Sequence, residues 1–416
     1  MFNSVFAQCG AFAHSGVFVQ SARTLALRRA QDRLFGLRPI RRLVVSFILV
    51  VGFVVLCAAK PAFAIPIFAQ RYHLSCETCH SVLPELNAFG NAFRNRGYRL
   101  DGAPKYGTTI LALREQVGYA ADPGPDSTRR WDPAGAVLGA VEVGRVEAFM
   151  HESLGSGGGP SSLFMGYLAY GDARSGMLYR AGLIELPLIH SPGQRNDTLT
   201  TYGYEGTLAG LNDLTLATPR WAFEVEHDLG AGRVAATLAF ANGGGSAYGG
   251  APVETGRVES FATPEVGLFA RYPVANGVQF GLDALEGTRS IAVGGAPAFQ
   301  DPYTRVGTSI EARRGRLELL AEQWWGNDAN SDGSGTPLDS IGGFARLRWR
   351  IGDHAFIGLR EDAAAAPAAT RSLLWYAETQ VTPHARIVIQ QQRPFPGGRT
   401  SLEGALTVGI PWPRGE

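Results

Sequence analysis

Within Cys76-Glu77-Thr78-Cys79-His80, two thiols stand one helical turn apart and an imidazole follows the second directly. That spacing lets both thiols add to the two vinyl groups of a single haem and sets His80 beneath the iron as proximal ligand. The cofactor this pattern calls for is one covalent haem c. Three other chemistries share the Cys-x-x-Cys spacing. A structural disulfide suits an oxidising compartment, a redox-active dithiol expects a βαβ setting, and a structural zinc site needs further ligands. No βαβ pattern surrounds the motif, and the other two cysteines, Cys9 and Cys57, lie in the leading segment.

Downstream, Pro84 suits the first turn of a helix whose Leu86, Phe89 and Phe93 share one face and whose stop is Gly97. Phe89 and Phe93 are candidates to pack on the porphyrin. A second axial ligand is not supplied nearby, because no His, Met or Cys occurs between His80 and Met150. His73 is too close to Cys76 to reach the far side of the ring. The remaining candidates are Met150, His151, Met165, Met177 and His190, or an open site. Met150 and His151 rank first: neighbours on one strand point to opposite faces, so one of them faces inward in either register. A His or Met ligand favours electron transfer, whereas an open site admits small ligands or peroxide.

The segments that must position this chemistry begin with an address. Arg38, Arg41 and Arg42 precede the apolar run Leu43–Cys57, and Ala62-Phe63-Ala64 comes after it, the order of a Sec signal cleaved after Ala64. At 15 residues the run is short for a spanning helix, the alternative reading. No other apolar run approaches that length, which excludes a helical multi-span membrane protein. Residues 1–64 hold eight Lys and Arg against one Asp, so the net charge of +1 for the whole chain becomes −6 for residues 65–416. That balance argues against a nucleic-acid partner.

From Thr108 onward about fifteen segments of eight to twelve residues alternate in β fashion between Gly, Pro, Asn and Asp clusters. Leu402, Leu406, Val408, Ile410 and Trp412 share one face of the last, opposite Glu403, Ala405, Thr407 and Gly409. Gly343, Ala345, Leu347, Trp349 and Ile351 alternate with Arg346, Arg348 and Arg350, and Trp375, Ala377, Thr379 and Val381 with Tyr376, Glu378 and Gln380. A soluble sandwich in the periplasm and a membrane barrel share this pattern. The number and length of the strands favour a barrel, and an even count raises fifteen to about sixteen. Trp324, Trp325, Trp349, Trp375 and Trp412 suit an interfacial girdle.

The stretches Ile65–Arg71, Cys76–His80, Leu83–Gly90, Phe93-Arg94 and Gly97-Tyr98 together resemble the haem segment of the fused monohaem cytochrome and porin proteins of iron-oxidising bacteria. Members typically have Phe before the Pro and Arg after Asn-x-Phe-Gly, where this chain has Leu83 and Asn91. The resemblance implies an outer-membrane β-barrel carrying one haem. Its implied partners are an extracellular electron donor, Fe(II) in that family, a periplasmic electron carrier and the lipid of the outer membrane.

The expected architecture is therefore mainly β: a signal over 1–64, a short helical monohaem cytochrome c segment over 65–105, and an antiparallel transmembrane barrel of about 16 strands over 106–416. Some 40 residues are too few to bury a haem alone, so the haem segment should sit as a plug in the lumen or at one mouth. Arg346, Arg348 and Arg350 then meet haem propionates or, more simply, carboxylates such as Glu318 and Glu322 on neighbouring strands. Asp328 to Gly333 with Asp339 has the outline of a calcium loop but no flanking helices, and reads better as a polar turn. The leading functional expectation is electron transfer, with Fe(II) oxidation as the activity the resemblance implies. The alternatives are a porin-like transport barrel with a structural haem plug, and a haem peroxidase or ligand sensor.

Overall fold

Alternation of this kind closes into a wall when every strand finds two neighbours. The computed structural model describes residues 67–72, 74, 76–82, 85–95, 98, 100, 110–121, 129–156, 162–172, 174–189, 198–200, 202–204, 215–230, 232–242, 257–352, 355–365, 369–382, 385–395 and 398–411. The expected signal over 1–64, His73, Pro84, Gly97, His190 and Trp412 lie outside them. The first half of the barrel consists of β3 (Ile110–Ala121), β4 (Arg129–Val143), β5 (Val146–Ser156), β6 (Ser162–Asp172), β7 (Met177–Ile184), β8 (Arg220–Asp228), β9 (Arg233–Asn242) and β10 (Arg257–Ala275). The second half is β11 (Val278–Val293), β12 (Phe299–Arg314), β13 (Leu317–Asp328), β14 (Leu338–Arg350), β15 (Ala355–Ala365), β16 (Ala369–Thr382), β17 (Ala385–Phe395) and β18 (Ser401–Pro411). These sixteen antiparallel strands pair in sequence order, and β18 pairs with β3, so no edge remains.

The two ends differ. At one, the connections 144–145, 276–277 and 315–316 are tight, and Gly144 and Gly277 take φ of 62° and 73°, the left-handed values such turns require. At the other, the connections include 122–128, 185–219, 243–256 and 329–337. In outer-membrane barrels the short turns face the periplasm and the long loops face outward.

The faces of each strand are inverted relative to a water-soluble sheet. Charged residues point inward and are buried, among them Arg220, Glu224, Arg271, Asp283, Arg348 and Arg360. Large apolar residues point outward: Leu268 and Phe223 are each 58% exposed and Trp349 is 55% exposed. Only lipid makes such a surface stable, which sets aside the soluble sandwich. The strand faces expected around Leu347, Trp375 and Leu406 are those observed. One aromatic differs. Trp325 faces outward, but Trp324 is fully buried inside, its indole N–H donating to Glu322. Adjacent strand residues take opposite faces, so only one of the pair can join the girdle.

Ahead of the barrel lie α1 (Ile67–Tyr72), α2 (Cys76–Cys79), the small hairpin of β1 (His80–Val82) with β2 (Glu85–Leu86), and α3 (Ala88–Asn95). The helix expected from Pro84 thus begins at Ala88, and Leu86 is a strand residue paired with His80. Asn87 sets that start: its side-chain oxygen accepts from the Gly90 N–H at 2.9 Å, the bond of an N-cap.

Candidate functional site

The Cys76–Cys79 segment forms one helical turn, and His80 comes directly after it, half-buried. Its backbone is held by the start of α3. The Asn87 amide donates from Nδ2 to the Thr78 carbonyl at 3.1 Å and from its backbone N–H to the Cys79 carbonyl at 2.8 Å. Gly90 lies so close that a Cβ there would stand 2.0 Å from the Cys79 carbonyl oxygen. Backbone cannot yield at that distance, so only glycine permits this contact.

Of the two motif cysteines, the side chain of Cys79 is described. Cys79 forms no disulfide, and burial pushes its thiol pKa up, the opposite of an activated dithiol. A helical turn with a free Cys79 and His80 immediately beyond it fits a covalent haem. Phe89 adds an aromatic surface 41% exposed, while Phe93 is buried, with Tyr72 and Phe68 edge-on to it at 5.5 and 5.6 Å. Of the two aromatics expected to face the porphyrin, Phe89 is available and Phe93 holds the segment together.

That segment docks on the inside of the barrel. Arg71 pairs with Glu147 at 2.5 Å and Glu142 at 3.7 Å, and Arg94 pairs with Glu226 at 3.5 Å. Burial opposes the Arg71 charge, and the hydrogen bond and charge of Glu147 more than restore it. Burial likewise opposes the Arg94 charge, and Glu226 together with Tyr98 and Glu224 more than offsets it. Phe68 stacks on Tyr98 at 4.5 Å and lies 6.2 Å from Phe149 of β5, joining a core cluster that includes Met165 and Tyr167. Glu142 and Glu147 flank the 144–145 turn, and Glu226 stands near the short-turn end of β8. The plug therefore sits at the short-turn mouth.

Residues 198–200 and 202–204, in the long connection after β7, lie against the inner wall. Arg360 donates to Thr198 at 2.6 Å and lies over the Tyr202 ring at 4.4 Å, Tyr202 stacks on Phe344 at 3.8 Å, and Leu199 donates its backbone N–H to Gln390 at 2.7 Å. Every partner is an inward residue of β14, β15 or β17.

The second-ligand candidates are sorted by face. Met150 is 41% exposed on the lipid side, so the structure removes it as a lumenal ligand. His151 points inward and is buried, with Nε2 3.3 Å from an Arg114 guanidinium nitrogen. Met165 is buried and is its Cα partner on β6. Two of the row's arginines meet a carboxylate, the simpler of the two expected roles: Arg348 and Arg350 both pair with Glu318, the latter at 3.1 Å, while Arg346 donates to the Tyr202 hydroxyl at 3.4 Å. The 329–337 connection is a polar turn, with Asn330 Oδ1 accepting from Gly335 and Asp332 from Ser334.

Of the docking residues, Arg71 and Arg94 lie in the stretches that carry the resemblance to the haem segment, whereas Glu142, Glu147 and Glu226 belong to no sequence motif. A usable signal exists for the glutamates, because alternation puts both Glu142 and Glu147 on the inward face beside a tight turn. For the docking of the arginines there is none, since a charge on a short helix ordinarily meets water.

No protein-family model matches the chain, and no curated protein sequence matches it. Solved structures do. The anion-selective porin from Comamonas acidovorans superimposes with a TM-score of 0.52 at 10% identity, covering 74% of this chain and 99% of that one. The outer membrane channel DcaP of Acinetobacter baumannii gives 0.51 at 10% identity over 74% and 97%. Salmonella typhi OmpF gives 0.50 at 9% identity over 74% and 98%. At these identities the likeness is one of fold: this is a porin-like barrel of sixteen strands.

Proposed function

We propose that this barrel carries one haem c, attached to Cys76 and Cys79 and ligated by His80, and passes electrons from an extracellular donor to a periplasmic carrier. The observation that carries the reading is the clamped Cys76–His80 turn on a plug docked at the short-turn mouth. A bound haem would supply a one-electron iron couple. The chain supplies the rest. Asn87 and Gly90 fix the turn that presents both thiols and His80. Phe89 offers an aromatic surface, and Arg71 and Arg94 anchor the plug to the wall. The short-turn mouth faces the periplasm in barrels of this kind, which suits delivery to a soluble carrier there. Fe(II) is the donor suggested by the resemblance of the haem segment. Stopped-flow mixing of the haem-loaded protein with Fe(II) tests it: haem reduction is expected, and an unreduced spectrum would rule out iron oxidation.

A second reading, solute passage around a structural plug, is favoured by the porin-like fold. Swelling of protein-loaded liposomes in small sugars would support it, and osmotically tight liposomes would not.

A further inference from the structure

The outward face of β3 to β5 departs from the rest of the wall. On β3 it carries Leu111, Leu113, Glu115, Val117 and Tyr119, and on β5 Glu152 stands between Met150 and Leu154. Each carboxylate is thus set among apolar neighbours at the middle of its strand, where the wall crosses hydrocarbon. Neither makes a hydrogen bond or ion pair with a described residue. The adjoining strands offer no donor side chain, since Glu115 lies between Val408 and Gly135, and Glu152 between Val137 and Leu163. An ionisable side chain without a partner is costly at that depth, so lipid is a poor cover for this face.

The same face is low. Gly135 of β4 faces outward, and a Cβ there would stand 3.1 Å from both Glu115 carboxylate oxygens and 3.3 Å from Leu154, so the Glu115 side chain lies flat across the glycine. Small residues of this kind let a neighbouring protein wall come close. Only β18 separates β3 from β17, whose outward face has the opposite chemistry. Gln391 and Arg393 are exposed on it, and neither makes a hydrogen bond or ion pair with a described residue; the Arg393 guanidinium lies over the Phe395 ring at 5.2 Å. Next to them on β15 and β16, Glu361 and Arg371 already satisfy each other at 2.7 Å. The heights agree as well. β3, β5 and β17 all start at the short-turn end, and Glu115, Glu152 and Gln391 are their sixth, seventh and seventh residues, with Arg393 one outward position beyond.

We propose that a second copy of this chain covers the β3–β5 face, its Arg393 pairing with Glu115 and its Gln391 amide donating to Glu152. Charge complementarity selects this occupant: at mid-strand one face offers carboxylates without a cation, and the other offers a cation without a carboxylate. Because the two faces are unlike and stand side by side on one wall, the contact is heterologous, and its repetition closes a ring with the β18 strands towards the axis. Withdrawn from water and lipid together, the Arg393–Glu115 pair gains a charge-assisted hydrogen bond that neither residue has in the single copy.

The test is native mass spectrometry of the full-length barrel released from detergent micelles, with heat-modifiable migration on a gel as the check that each variant is folded. A closed oligomer is expected for the wild type. Arg393→Glu sets carboxylate against carboxylate and should dissociate it to single copies, and Glu115→Arg should do the same by setting cation against cation. The combined Glu115→Arg/Arg393→Glu protein restores the pair with its signs exchanged and should recover the oligomer. Single copies of the wild type, with or without a different protein bound, would overturn the proposal. So would an oligomer that survives in folded Arg393→Glu, or a folded combined variant that stays as single copies.

Discussion

Arg71 of the N-terminal segment and Glu147 of the barrel wall form a buried ion pair at 2.5 Å, although 76 residues separate them in the chain. Glu142 shares the same guanidinium at 3.7 Å. Arg71→Leu leaves two carboxylates buried without their cation, which costs about 3–5 kcal/mol where a buried pair loses one member. Glu147→Gln should cost less, because Glu142 retains the charge of Arg71. Urea titration of the refolded protein, combined with protease access to residues 65–105, measures both. An Arg71→Leu protein with wild-type stability and wild-type protection of residues 65–105 would show that the pair does not hold the plug.

Gly90 and Asn87 should act on the Cys76–His80 turn rather than on the barrel. Gly90→Ala places a methyl against the Cys79 carbonyl oxygen and forces α3 away from the turn. Asn87→Ala removes the cap of α3, a loss of about 1 kcal/mol, together with its bond to Thr78. Haem stain per barrel should fall strongly in the first variant and mildly in the second, with unchanged heat modifiability in both.

Unmodified Cys79 should behave as an unactivated thiol. Burial raises its pKa, so the thiolate fraction at neutral pH is smaller than for a free cysteine and grows only as pH climbs past the ordinary thiol range. Iodoacetamide labelling of haem-free Cys76→Ala protein should therefore be slow at pH 7 and accelerate above pH ~9. Rapid labelling at neutral pH would revive the redox-active dithiol.

Trp324 and Trp325 make an internal control for the membrane-facing surface. Trp325→Phe should remove part of the fluorescence quenched by brominated lipid, and Trp324→Phe should leave that part intact, because Trp324 is enclosed and bonded to Glu322.

Period-two alternation makes the barrel legible: the faces around Leu347 and Leu406 derive from it, because a strand that separates lipid from a polar lumen must alternate. The count of sixteen comes from the same pattern and the need for closure. Trp324 shows the limit, since aromatic type alone does not reveal which of two neighbours turns inward. Met150 and His151 show the same parity resolved by structure. The Cys-x-x-Cys-His spacing is fully visible in the chain, whereas the Asn87 clamp and the Arg71 and Arg94 anchors depend on which distant strands the plug meets. Contacts across 76 and 132 residues leave no local trace.

The central claim is that the barrel holds one covalent haem on Cys76 and Cys79. Its most direct test is a haem-stained gel of purified outer-membrane fractions, unheated and boiled, for wild type and Cys76→Ala/Cys79→Ala. Haem should travel with a wild-type band that shifts on boiling and survive denaturation, and the double variant should show the same shifting band without haem. A heat-modifiable wild-type barrel free of haem, or haem stain confined to a soluble periplasmic species, would contradict the account.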